Sequence, residues 1–189
     1  MRPCSSVQIF PLLIYQAPWA TNAKREAFEA RAAMCAEIRA FFLELDVLEV
    51  ETPLLCQRTV TDPMLSGFRT EYALTEGRGS TPLYLQTSPE FAMKRLLASG
   101  MGSIFQISKA FRNGEVGRHH NPEFTLLEWY RVGSDLHDLQ EEVASLIRRL
   151  AAIFGFSMSV EYVTYLEAFQ RHLDLHPLDA SLSDMSALA

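Results

Sequence analysis

Arg112, Phe124, Glu128 and Tyr130 all fall in one stretch, Gly102 to Val132, and their types suit a charged nucleotide and an amine. A guanidinium grips phosphate or carboxylate through a planar fork. A carboxylate and a phenol answer an ammonium, and an aromatic ring offers a plate for a base. Spacing decides which of these groups can meet. Side chains alternate between the faces of a strand, so Phe124, Leu126, Glu128 and Tyr130 share one face and Thr125, Leu127 and Trp129 the other. The element that must position them is a hairpin. Two arms rich in β-branched and aromatic residues flank a polar loop carrying Gly114, Gly117 and an Asn121-Pro122 step, the pattern of a long antiparallel pair. Arg112 ends the first arm at the mouth of that loop. The same pattern also describes a plain half-buried hairpin, with Glu128 at an edge and Arg112 in solvent.

The flanking segments read as supports for this hairpin. Asn22 to about Asp46 is helical, capped by Thr21 or Asn22, with an apolar stripe at Phe28, Ala32, Cys35, Ile38, Phe42 and Leu45. Val47 to Glu51 is a short strand ended by Thr52-Pro53. Residues 54 to 67 form a loop containing Thr61-Asp62-Pro63. Phe68 to Leu74 is a weakly alternating strand, Thr75 to Thr81 a turn, and Leu83 to Gln86 another short strand. Thr87 with Glu90 three residues on is a capping box for a helix ending at Gly100, with Pro89 near its first turn. Residues 135 to 156 form a helix with a stripe at Leu136, Leu139, Val143, Leu146, Ile147 and Leu150, stopped at Gly155. Val163 to Leu173 is a further helix. His172 and His176 stand four apart, a spacing that can serve a metal, but Pro177 follows at once and no third ligand is evident.

Three blocks in order carry a family resemblance. Phe111-Arg112, a loop, and His120-Asn121-Pro122-Glu123-Phe124-Thr125 with Glu128 and Tyr130 resemble motif 2 of class II aminoacyl-tRNA synthetases in its lysyl form. Thr87-Ser88-Pro89-Glu90 resembles the block by which lysyl-type enzymes hold an amino group, and the helix and strand before Pro53 resemble motif 1. The match covers roughly residues 28 to 156. It implies an α+β fold, an antiparallel sheet flanked by helices. It also implies activation of a carboxylate by ATP with Mg²⁺, in which catalysis is mainly positioning and charge neutralisation. By resemblance, Arg112 is the catalytic residue, bridging the α-phosphate and the substrate carboxylate. Ser88, Pro89, Glu90, Glu128 and Tyr130 bind a lysine-like substrate with two amino groups. Arg112, Asn113, Gly114, Glu115, Asn121 and Phe124 bind the nucleotide, with adenine stacked on Phe124, and motif 1 implies a homodimer.

The sequence departs from the family pattern in two ways. The lysyl motif places a glutamate two residues after the arginine, where this chain has Gly114. Glu115 takes that role if the loop is shifted by one. Nothing after residue 135 resembles motif 3, so the reading is of an incomplete catalytic domain. The stretch before the first helix is too short for an anticodon barrel of about five strands. In that short stretch and in the runs Arg31-Ala32-Ala33-Met34 and His120 to Tyr130, the chain resembles, within the family, stand-alone lysyl-synthetase paralogues, and the resemblance implies that a β-lysyl-adenylate is formed and its acyl group handed to a lysine of elongation factor P. A truncated lysyl-tRNA synthetase, a free amino-acid adenylating enzyme, and an inactive dimerisation or binding module are the alternatives.

Composition is that of a soluble globular protein of one ordinary domain: 189 residues, 48% apolar and 21% charged. The net charge of −6 provides no basic field for a long RNA, and tRNA is not expected as a partner. Cys4, Cys35 and Cys56 match neither a disulfide framework nor a zinc spacing, which points to a reducing compartment and the cytoplasm. Val7 to Tyr15 is apolar but far shorter than the roughly 20 residues of a membrane span. The expected organisation is a loose leader over 1–20, a catalytic domain over 21–175, and a frayed tail over 176–189.

Overall fold

The computed structural model describes residues 23–73 and 79–187. The leader, Thr21, Asn22, Cys4 and most of the Thr75–Thr81 turn lie outside them. The chain divides into two compact units, Met1–Leu136 and His137–Ala189, where the sequence suggests one domain running to 175.

Unit 1 opens with α1 (Arg25–Glu44), shorter than expected at both ends. Its N-cap is Lys24, whose side chain makes no capping bond. At the other end Asp46 takes a left-handed φ of 54°, and the Val47 N–H donates to the Phe42 carbonyl at 2.9 Å. That turn aims the chain into β1 (Leu48–Glu49). Burial along α1 is concentrated late, at Ile38, Phe41 and Phe42, while Phe28 near the start of the expected stripe is exposed. Phe42 stacks on Phe105 at 4.5 Å between centroids and meets Trp129 at 5.5 Å. Burying such side chains is worth about 1.5–3 kcal/mol each, which fixes α1 to one face of the hairpin.

The hairpin forms as its sequence suggests. β5 (Ile104–Phe111) and β6 (Glu123–Tyr130) pair antiparallel in unbroken register from Ile104↔Tyr130 to Phe111↔Glu123. The sheet is not wholly antiparallel, however. β1 joins β5 in parallel, giving the order β1-β5-β6. A second sheet has the order β2-β4-β3, made of β2 (Leu55–Cys56), β4 (Ser80–Leu85) and β3 (Arg69–Ala73). β2 lies inside the segment expected to be loop, and β4 begins before Leu83 because Ser80, Thr81 and Pro82 pair with Ala73, Tyr72 and Glu71. The two sheets are tied where β5 ends: the Phe111 N–H donates to the Gln86 carbonyl and the Asn113 N–H to the Ser66 carbonyl. Helix α2 (Glu90–Ala98) follows β4 and buries Met93.

In unit 2, α3 (Leu136–Ile153) ends before Gly155, whose φ of 75° suits glycine. Of the expected stripe Leu146 is buried, together with Ala144 and Ala151, whereas Leu136, Leu139 and Ile147 are exposed. Helix α4 (Tyr165–Leu173) carries a complete capping box: Thr164 Oγ1 accepts from the Glu167 N–H at 3.1 Å, and Glu167 Oε2 accepts from the Thr164 N–H at 2.7 Å. The segment expected to fray is partly wound. The Asp179 and Ala180 N–H groups both donate to the His176 carbonyl, His176 Nδ1 lies 2.8 Å from Asp179 Oδ2, and α5 spans Leu182–Ala187. These local bonds, which an apolar pattern does not reveal, organise it.

Candidate functional site

The register sorts the hairpin into two faces. One carries Phe105, Ile107 and Lys109 opposite Trp129, Leu127 and Thr125. This face takes α1, through Phe42 and through Arg31 Nη2 donating to Thr125 Oγ1 at 2.8 Å. The other carries Phe124, Leu126, Glu128 and Tyr130 opposite Ala110, Ser108, Gln106 and Ile104. The helix is thus kept off the face on which the chemistry-bearing groups stand.

The link between β4 and α2 reaches that second face. Ser88 Oγ donates to Glu128 Oε2 at 2.8 Å, and the Tyr130 hydroxyl donates to Glu128 Oε1 at 2.7 Å. Both carboxylate oxygens are therefore gripped, and the group is held in one orientation. Half-burial, first, and then the bond to Glu128 push the Tyr130 phenol well above its ordinary range, so it stays a donor. Ser88 Oγ also accepts from the Glu90 N–H at 3.0 Å.

The expected Thr87–Glu90 capping box does not form. Helix α2 starts at Glu90 with Pro89 as its N-cap, in αR conformation and without a side-chain cap bond. The chain cannot turn earlier, because Gln86 is still tied into the sheets: its N–H donates to the Leu54 carbonyl and its own carbonyl accepts from Phe111. Thr87 Oγ1 is buried without a partner, and the Glu90 carboxylate turns to Lys94 Nζ, one helical turn on. Pro89 is fully buried and presents no polar group to the cavity.

Arg112 sits where the hairpin loop leaves β5, its N–H donating to the Pro122 carbonyl at 2.9 Å. Its Nε donates to the Thr87 carbonyl at 3.3 Å, its Cζ lies 5.0 Å from the Phe124 ring centroid, and its Nη1 lies 3.6 Å from Glu115 Oε1. Gly114, at φ 86°, turns the loop between them. A cavity of about 570 Å³ lies over this arrangement, lined among others by Asp62, Leu65, Ser88, Glu90, Arg112 and Glu128.

Of the residues singled out by sequence, Ser88, Glu90, Arg112 and Glu128 thus converge on one cavity, and Tyr130 reaches it through Glu128. Phe124 lies against Arg112. Asn113, Gly114 and Asn121 belong to the loop and do not line the cavity. Sequence reasoning missed Asp62, whose carboxylate accepts from the Met64 N–H at 2.9 Å. Thr-Asp-Pro marks a turn, but no local signal says that the turn walls a cavity. Lys94 was missed too, although its spacing from Glu90 is that of a helical ion pair. Among the described residues no group of three His, Cys, Asp or Glu side chains could hold a metal, and no helix is long and apolar enough to cross a membrane.

A fixed carboxylate beside a guanidinium fork can hold a molecule carrying both an ammonium and an anionic group. Ser88 donates to that carboxylate, which fixes the direction in which it faces the cavity. The chain is 46% identical over 173 residues to the elongation factor P--(R)-beta-lysine ligase of Yersinia enterocolitica, covering 92% of this chain and 52% of that one. It is 46% identical over 174 residues to the enzyme of the same name from Vibrio vulnificus, with 92% and 53% covered. The Erwinia tasmaniensis ligase matches at 46% over 173 residues, with 92% and 52% covered. The chain thus spans about half the length of the curated relatives it matches. Residues 16–182 match the family described as tRNA synthetases class II (D, K and N), and the chain belongs to that family.

Proposed function

We propose that the protein activates (R)-β-lysine with ATP and transfers the acyl group to a lysine of elongation factor P. The substrate carboxylate oxygen attacks the α-phosphorus and pyrophosphate leaves; the amine of the acceptor lysine then attacks the acyl carbon and AMP leaves. The observation that carries this reading is Glu128, gripped at both oxygens by Ser88 and Tyr130 and sharing a cavity with Arg112. In it, Glu128 and Glu90 take the substrate's amino groups, Ser88 and Tyr130 orient Glu128, and Pro89 fixes the turn that presents Ser88 and Glu90. A carboxylate held before the ligand arrives avoids the ordering cost of binding. Arg112 neutralises the charge shared by the carboxylate and the α-phosphate. Phe124 supports adenine, and Asn113, Gly114, Glu115 and Asn121 form the loop around the nucleotide. The names of the 46%-identical relatives supply the choice of β-lysine and of elongation factor P.

Mg²⁺ enters this reading as the counter-ion of the nucleotide's phosphates; the donor set described offers it no cage of its own. Homodimerisation belongs on α1, where Phe28 and Met34 remain exposed, and the compartment is the cytoplasm. Pyrophosphate exchange tests the proposal. Exchange dependent on (R)-β-lysine, followed by labelling of elongation factor P, is the expected result. Exchange with α-lysine alone, together with charging of tRNA, would make the protein a lysyl-tRNA synthetase, and silence with every amino acid would leave a binding module.

A further inference from the structure

We infer that Glu115 is a positioning residue for Arg112, acting as its counter-ion, rather than a reader of the adenine edge; this rests on the role proposed for Arg112 above. Three groups hold the guanidinium: the Thr87 carbonyl at Nε, the Phe124 ring beneath Cζ, and Glu115 at Nη1. Only Glu115 carries charge. Both members of the ion pair are largely sheltered, with side chains 26% and 29% exposed, so the attraction is screened less than that of an open surface pair. Among the described residues nothing is bonded to Nη2, the arm of the fork that would meet a ligand.

The backbone explains why the carboxylate is at 115. Gly114 has φ 86°, the left-handed region that glycine enters freely and an L side chain does not. A built Cβ there meets nothing within 4 Å, so the constraint is backbone conformation rather than space. Glycine at 114 permits the turn, and the turn returns residue 115 to the arginine three positions earlier. A glutamate at 114 would strain this loop.

The test is pyrophosphate exchange by the whole protein with ATP and with GTP, for the variants E115A, E115Q and E115D. A positioning role predicts that E115A and E115Q lower kcat by about tenfold or more, since misplacing a group in the transition state costs that much. The ratio of kcat/KM for ATP over GTP should stay within about twofold, and E115D should recover part of the loss. A collapse of the ATP preference with kcat retained would overturn the inference in favour of base reading, and no change in either quantity would overturn it as well. R112A separates the two levels. If R112A keeps full exchange, the role proposed for Arg112 fails; if R112A is inactive while E115A behaves like the parent, only the inference about Glu115 fails. Thermal unfolding of each variant guards against loss of the fold.

Discussion

Thr87-Ser88-Pro89-Glu90 and Thr164-Tyr165-Leu166-Glu167 share one pattern, Thr-x-x-Glu at the start of a helix, and fold differently. At 164 the box closes, with both reciprocal bonds in place. At 87 neither bond forms. Gln86 is pinned between two strands, the helix is delayed to Glu90, and the Glu90 carboxylate pairs with Lys94 instead of reaching back to residue 87. Ser88 Oγ serves the Glu90 N–H and Glu128 together, and Glu90 faces the cavity. What remains is a buried Thr87 hydroxyl with no partner. The lesson is physical: a local rule is satisfied where a helix only needs to start, and broken where its side chains are needed elsewhere.

The largest effect is expected at Glu128. E128Q keeps the shape but removes the charge, and binding of a lysine-like diamine should weaken by about a hundredfold, within the range for losing a charged pair partner in a sheltered site. S88A should weaken it by about tenfold, because Tyr130 still holds one oxygen; titration calorimetry reads both. T164A is the counterpart in the closed box. It should cost about 1 kcal/mol of local stability, seen as roughly fivefold faster hydrogen exchange of the α4 amides, with diamine affinity unchanged.

The two regions should also fail at opposite ends of the pH scale. The Thr164 hydrogen bonds hold the Glu167 carboxyl below its ordinary value of 4.5. The folded state therefore binds that proton less readily than the unfolded chain, so its contribution is complete above pH 4.5 and fades as pH falls through the depressed value. Tyr130 is the reverse case. Its phenol is raised above 10.0, so stability is level below pH 10 and declines at higher pH, where only the unfolded chain ionises freely. Y130F should flatten that alkaline decline in unit 1 and leave the acid decline of α4 intact. The smallest effect is expected at Thr87. T87V removes a hydroxyl that has no partner, and should change stability by less than about 0.5 kcal/mol.

The hairpin was legible because alternation and turn residues agree from Ile104 to Tyr130. Its face assignment put Glu128 and Tyr130 on one side, and the register bears that out. Beyond the hairpin, local signals were weaker guides. Ser80 and Thr81 read as part of a turn, yet backbone pairing with Ala73 and Tyr72 makes them strand. The burial of α1 near its C-terminal end is decided by Phe105 and Trp129 on distant strands, which no helical period encodes. In the site, the Ser88–Glu128 bond spans forty residues and Asp62 arrives on a separate loop. The family likeness named Ser88 and Glu128 as neighbours of one substrate, though not their bond, and did not name Asp62.

In the function proposed above, Glu128, fixed by Ser88 and Tyr130, is a ready-made seat for a substrate ammonium beside Arg112. Titration of (R)-β-lysine into the protein, set against E128Q and the uncharged-tail analogue of the amino acid, tests it most directly. Saturable binding is expected, which E128Q weakens by about a hundredfold for the diamine and far less for the analogue. Equal losses for both ligands, or undiminished binding by E128Q, would contradict it.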